Sequence, residues 1–133
     1  MGSNIKSLPQ SELEIIKALW AVGEPVSVAL IQGNIPQEMK FRPEAFIRTL
    51  NLYLELIERH PAQLTILPET SLPIFFDQLP PAYLEALNDA VRAHGGNLIT
   101  GALTGDHDAY WNSAVSLGSS PTQTYSKRHL VPF

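Results

Sequence analysis

A chain of 133 residues with 44% hydrophobic content suffices for one ordinary domain with a packed core, and is short for an α/β enzyme covered on both faces. Nine basic against thirteen acidic side chains give a formal charge of -4 with no Lys/Arg cluster, which argues against a nucleic-acid partner, since phosphate contacts need grouped cations. Cysteine is absent, which excludes disulfides, thiolate metal sites and a cysteine nucleophile within this chain.

No uncharged apolar run reaches the roughly eighteen residues needed to span a membrane. The amino terminus does not read as a signal peptide either, because Glu12, Glu14 and Lys17 interrupt the segment that would have to be apolar. Residues 8 to 22 instead predict a soluble amphipathic helix with Leu13, Ile16, Leu19 and Trp20 on one stripe. Ser7 and Gln10 resemble a capping box at its start, and Gly23 is a plausible stop.

After Gly23-Glu24-Pro25, the charge-poor run Val26 to Ile31 predicts a strand suited to a central position. Gln32-Gly33-Asn34-Ile35-Pro36-Gln37 closes it with polar amides around a glycine, read first as a local turn. Pro43 to Arg59 predicts an amphipathic helix on Phe46, Leu50, Tyr53 or Leu54, and Ile57, opened by a tolerated proline and closed by His60-Pro61. Leu64 to Leu67 then predicts a parallel strand covered on both faces, completing strand, helix, strand.

This second strand runs directly into Pro68 and Glu69. A carboxylate at the end of such a strand stands where open α/β sheets place ligand chemistry, although acidic residues in such turns also merely cap them or face water. Pro73 to Pro80 reads as irregular, with Phe75-Phe76 either a lid over the strand ends or, preferably, an anchor in the core. Pro81 opens a second helix on Leu84, Leu87 and Val91, stopped by Gly95-Gly96.

Asn97 to Leu103 predicts a third strand. It ends at Thr104-Gly105-Asp106-His107-Asp108, where a solvated loop is preferred over metal ligands. Tyr110 to Leu117 and an extended piece around Gln123 to Tyr125 follow as short, closely joined strands, which suggests a hairpin at the late end of the sheet.

Three segments taken together resemble one family. Gln32-Gly33-Asn34-Ile35-Pro36-Gln37, Leu67-Pro68-Glu69-Thr70-Ser71-Leu72-Pro73 and Tyr125-Ser126-Lys127-Arg128-His129-Leu130-Val131-Pro132-Phe133 resemble the nitrilase-like, or carbon-nitrogen hydrolase, domain of bacterial apolipoprotein N-acyltransferases. The resemblance implies an α/β fold, an incomplete αββα sandwich with a mixed, largely parallel sheet. It also implies residues 23-133 as the N-terminal part of that catalytic domain, truncated at the C-terminus, with residues 1-22 as an extension of uncertain origin. Within that extension, residues 11 to 20 slightly resemble the first helix of winged-helix repressors.

Carried over by motif, Glu69 would act as general base toward a thiol and Lys127 would stabilise the oxyanion of a tetrahedral intermediate. The two are 58 positions apart, so only the fold can join them; otherwise they are an ordinary surface ion pair or two unrelated charges. The family's nucleophilic cysteine is absent, so the chain is expected to be inactive alone. The implied partners of the parent enzyme are a phospholipid acyl donor and a diacylglyceryl-lipoprotein acceptor, with no cofactor, no metal and no nucleic acid.

The implied setting of the parent is the bacterial inner membrane, with this domain facing the periplasm. A half-sandwich would expose surfaces normally covered, so self-association is expected. Two other readings stand beside this one: a soluble carbon-nitrogen hydrolase acting on a small amide or nitrile, and a non-catalytic interaction module or DNA-binding fusion.

Overall fold

The structure is a computed structural model that describes residues 23–106 and 108–128, together with Lys17 and Ala21. The predicted helix over residues 8 to 22, His107 and the segment from His129 to Phe133 lie outside the described residues, save those two helix positions.

The described elements run in the order β1 (Val28–Leu30), α1 (Pro43–Arg59), β2 (Leu64–Ile66), β3 (Leu72–Phe75), α2 (Pro81–Arg92), β4 (Asn97–Gly105), β5 (Tyr110–Gly118) and β6 (Thr124–Ser126), with short 3-10 turns at Gln37–Met39 and Phe76–Gln78. They build one mixed sheet in the order β1-β2-β4-β5-β6, with β3 also on β4. The pairings β1–β2, β2–β4 and β3–β4 are parallel, and β4–β5 and β5–β6 are antiparallel. The chain is thus an α/β fold matching the incomplete nitrilase-like sandwich expected from its sequence.

Alternation along β4 and β5 sorts the two faces of the sheet. Leu98, Thr100 and Ala102 stand opposite Leu117, Val115 and Ser113 and are buried, while Ile99, Gly101 and Leu103 alternate with them on the other face. Leu98 and Leu117 pack with Tyr53, Ile57, Leu87 and Val91, whereas Ala102 and Val115 pack with Leu50, Leu72 and Leu79. Both helices therefore lie on a single face. Among the described residues no helix covers the other.

Two expectations change. β1 is three residues long and sits at the edge of the described sheet, with Val28 48% and Leu30 77% exposed. An apolar run reports a preference for burial but says nothing of how many neighbours a strand has. Single hydrogen bonds, Leu64 N to Ser27 O and Ile31 N to Ile66 O, extend its pairing on either side, so the longer predicted span reflects a frayed ladder. The stretch read as irregular contains β3, which tolerates Pro73 because it pairs only with β4 and with a shifted register.

The two helices are locked to each other by a tyrosine. Tyr83 donates its hydroxyl to the Leu50 carbonyl at 2.9 Å. Burial first, and the neighbouring Tyr53 second, push its pKa well above the usual phenol range. Burial also raises Tyr53, partly opposed by its hydrogen bond with the Gly33 backbone.

Because the folded protein holds these phenol protons more tightly than the unfolded chain, the contribution of these two groups to stability is constant below the unfolded pKa near 10 and falls as pH rises beyond it. Each such tyrosine steepens the fall by up to about 1.4 kcal/mol per pH unit. Urea midpoints measured from pH 8 to 11 should drop above pH 10, and Tyr83→Phe should flatten the drop. A midpoint independent of pH over that range would refute the assignment.

Candidate functional site

The site forms where the neighbour of β4 is interrupted. β2 pairs with Asn97 to Ile99, β3 resumes the pairing at Ala102, and Pro68 to Ser71 bridge the gap as a turn passing Gly101. Leu67 N donates to Ile99 O at 2.9 Å, which fixes where the turn begins. Ser71, buried, fixes where it ends, with its hydroxyl 3.0 Å from Thr100 Oγ1 and 3.2 Å from the Gly101 carbonyl. Between these anchors Thr70 adopts φ 52°, a left-handed conformation that a β-branched residue rarely takes. Such strain costs of order 1–3 kcal/mol and persists where surrounding structure over-determines it.

That turn carries Glu69 to the open face of the sheet. Lys127 reaches the same place from one residue beyond β6, where its amide donates to the Asn112 carbonyl at 2.8 Å and continues the antiparallel ladder. Lys127 Nζ then donates to Glu69 Oε1 at 3.0 Å, across 58 positions of sequence. The two residues singled out from sequence are thus brought together, with Glu69 63% and Lys127 36% exposed at the side chain.

Glu69 borders two depressions. One, of about 260 Å³, lies over the open face between Leu67, Ile99, Ala114, Tyr125 and Lys127. The other, of about 640 Å³, lies toward the loop after β1 and includes Gln37, Lys40, Phe41, Phe75 and Tyr110. Parallel pairing of β1 and β2 puts the loops after both strands at one edge, so Gln37 of the polar loop and Glu69 share a cleft.

The phenylalanine pair divides its duties. Phe76 packs against both core clusters as an anchor, while Phe75 lines the cleft and meets Tyr110 edge to face at 6.3 Å. In the loop after β4, Asp106 Oδ1 accepts the amides of Asp108 and Ala109 at 2.9 Å each, a local turn in which the carboxylate serves the backbone. Among the described residues no group of three metal-binding side chains converges.

Several contributors to the site escaped the sequence reading. Lys40, Phe41 and Asn112 carry no motif. Gly101 did carry a signal, since a glycine inside a strand marks a close backbone approach.

Fold and paired charges together define an α/β domain with a carboxylate and an ammonium at the carboxyl end of its parallel strands. The carbon-nitrogen hydrolase profile matches residues 27–132, and the chain belongs to that family. It is 44% identical over 113 residues to an apolipoprotein N-acyltransferase of Nitrosomonas europaea, covering 84% of this chain and 23% of the relative. It is 38% identical over 125 residues to that of Methylococcus capsulatus, covering 90% and 25%. The chain therefore spans about a quarter of the length of these relatives.

Among solved structures, a CN-hydrolase superfamily protein from Xanthomonas campestris shares the fold with a TM-score of 0.62 at 18% identity, over 81% of this chain and 42% of the other. An N-terminal amidase matches with a TM-score of 0.54 at 16% identity, over 80% and 28%. No described helix is long and apolar enough to cross a membrane.

Proposed function

We propose that residues 23-133 contribute the general base and the oxyanion-stabilising cation of an apolipoprotein N-acyltransferase, with residues 1-22 as an extension to that domain. The observation that carries this reading is the 3.0 Å contact between Lys127 Nζ and Glu69 Oε1 on the open sheet face. The similarity to relatives bearing that name supports the choice of reaction.

In this reading Glu69 accepts the proton of a thiol supplied from outside this chain as its sulfur attacks the ester carbonyl of a phospholipid. The Lys127 ammonium faces the oxygen on which negative charge collects. The intermediate collapses by breaking the bond to the lysophospholipid oxygen, which leaves with the proton held on Glu69. A free α-amine of a diacylglyceryl-cysteine then attacks the resulting thioester, passes a proton to Glu69 and receives the acyl chain as an amide while the thiolate departs. Splitting one exchange into two in this way lowers each barrier. The setting that fits is the periplasmic side of a bacterial inner membrane.

The test is a chimera in which residues 24–133 replace the matching segment of the Nitrosomonas europaea relative, which is expected to supply the thiol. Incubated with phospholipid, the folded chimera should form an acyl thioester and deliver the chain to a diacylglyceryl peptide amine, both visible by mass spectrometry. A chimera that melts cooperatively but releases ammonia from small amides and never forms the acyl-amide product would overturn the reading in favour of a hydrolase.

A further inference from the structure

We infer that the hydroxyl chain Thr104–Ser113–Ser126 positions Lys127 over Glu69, with Ser126 as the positioning residue next to the lysine. Its bearing on rate rests on the acyl-transfer reading; its bearing on geometry rests on the sheet alone.

β6 is three residues long, and its hold on the sheet is slight. Thr124 and Tyr125 are exposed, Ser126 is half-buried, and among the described residues neither core cluster includes a β6 side chain. Among the described residues the strand also pairs with β5 alone. Its backbone bonds, continued by Lys127 N to Asn112 O at 2.8 Å, fix its register. They run along one side of the strand within the sheet, so they resist rolling about that side only weakly. The lysine ammonium stands at the end of a long lever, and a small roll moves it far.

The hydroxyl chain supplies the missing restraint. Side chains alternate along a strand, so Ser126 turns to the helix face and Lys127 to the open face. Ser113, buried, donates to Ser126 Oγ at 3.2 Å and lies 2.6 Å from Thr104 Oγ1 on β4. A serine hydroxyl has one proton; with that of Ser113 given to Ser126, the Thr104 hydroxyl must donate into Ser113. The chain thus ties β4 through β5 to β6 on the side of the sheet opposite Lys127, where a bond opposes roll.

β4 holds Glu69 by the same means. Thr100, on the same face of β4 as Thr104, lies 3.0 Å from the Ser71 hydroxyl and so fixes the end of the turn that bears the carboxylate. Both charged groups are referred to one strand through hydroxyl pairs, and their 3.0 Å contact follows from that common footing.

The test compares Ser126→Ala with Ser126→Thr, first in the 133-residue chain and then in the chimera. Threonine keeps the hydroxyl and suits a strand. In the chain, Ser126→Ala should abolish the side-chain contacts between Lys127 and Glu69 in NMR spectra while β4 and β5 amides stay protected from exchange, and Ser126→Thr should keep those contacts. Thr104→Val cuts the hydroxyl chain at its other end without touching β6 and should weaken the same contacts, which carries the test where loss of Ser126 loosens β6 altogether. In the chimera, Ser126→Ala should lower kcat about 10–10²-fold with KM unchanged, the scale of a displacement near 1 Å. In a Lys127→Met background the same change should leave kcat where it is, because Ser126 acts only through the lysine.

Contacts that survive both Ser126→Ala and Thr104→Val, loss of contacts in Ser126→Thr, or a kcat loss that persists in the Lys127→Met background would each overturn the inference. Because the chain holds no cysteine, its spectra read geometry without turnover. An inactive chimera beside a chain whose contacts respond as stated sinks only the acyl-transfer reading, and an active chimera indifferent to Ser126→Ala sinks this inference alone.

Discussion

Gly101→Ala should lower stability by about 1–3 kcal/mol, the usual cost of forcing extra volume into a packed site, and should separate Glu69 from Lys127. The expectation follows from what an added Cβ would meet: Pro68 O and Thr70 N at 2.6 Å each and Glu69 Cα at 2.8 Å. All three are backbone atoms, so no side chain can swing aside. The turn itself must lift from the sheet, and Ser71, bonded to Thr100 and to the Gly101 carbonyl, resists that movement from its far end.

The strain therefore falls on Pro68 to Thr70, where Thr70 already holds an unfavourable φ. Urea denaturation gives the stability change, and loss of side-chain contacts between Lys127 and Glu69 in NMR spectra gives the displacement. A variant as stable as the parent with those contacts intact would show that the turn does not rest on Gly101. Gly101→Val, with two more methyl groups aimed at the same atoms, should be worse on both measures.

What sequence revealed of this arrangement depended on whether the signal was local. α1 has the bounds expected, Pro43 to Arg59, because its opening proline, apolar stripe and His60-Pro61 stop all lie within the segment they define. The β5–β6 hairpin was legible for the same reason, since two extended pieces with so close a connection leave little choice of partner. β3 was hidden by Pro73, which contradicts the strand pattern, and its pairing with β4 is a property of the assembled sheet.

The edge position of β1 was likewise not written in Val26 to Ile31. Glu69 could be located as a strand-end carboxylate, but its approach to Lys127 came from the ordered motifs, because nothing in a separation of 58 residues specifies contact. The turn's support was half visible: Gly101 interrupts a run that otherwise favours strand, while the Ser71–Thr100 bond depends on a crossing only the fold provides. Lys40 and Phe41 gave no signal at all, since a cation and a ring in a polar loop are ordinary until the cleft assembles around them.

The largest effects are expected at the charged pair, in the cysteine-bearing chimera. Lys127→Met should reduce kcat about 10²–10³-fold, as loss of one oxyanion-stabilising group does, and Glu69→Gln about 10²–10⁴-fold, as loss of a general base does. An exposed ion pair would contribute only about 0–1 kcal/mol to stability, so neither change should shift the urea midpoint appreciably. The decisive variant exchanges the charges, Glu69→Lys with Lys127→Glu. It restores an attractive pair across the same gap, so a purely structural bridge would be rescued.

Chemistry would not be rescued, because the ammonium and carboxylate would then stand on the wrong sides of the reacting carbonyl. The exchanged chimera is therefore expected to melt like the parent chimera and to form no thioester within the time the parent needs for complete acylation. Recovery of activity in the exchanged protein, or single variants that acylate at the parent rate, would reduce Glu69 and Lys127 to a surface contact and remove the catalytic assignment with them.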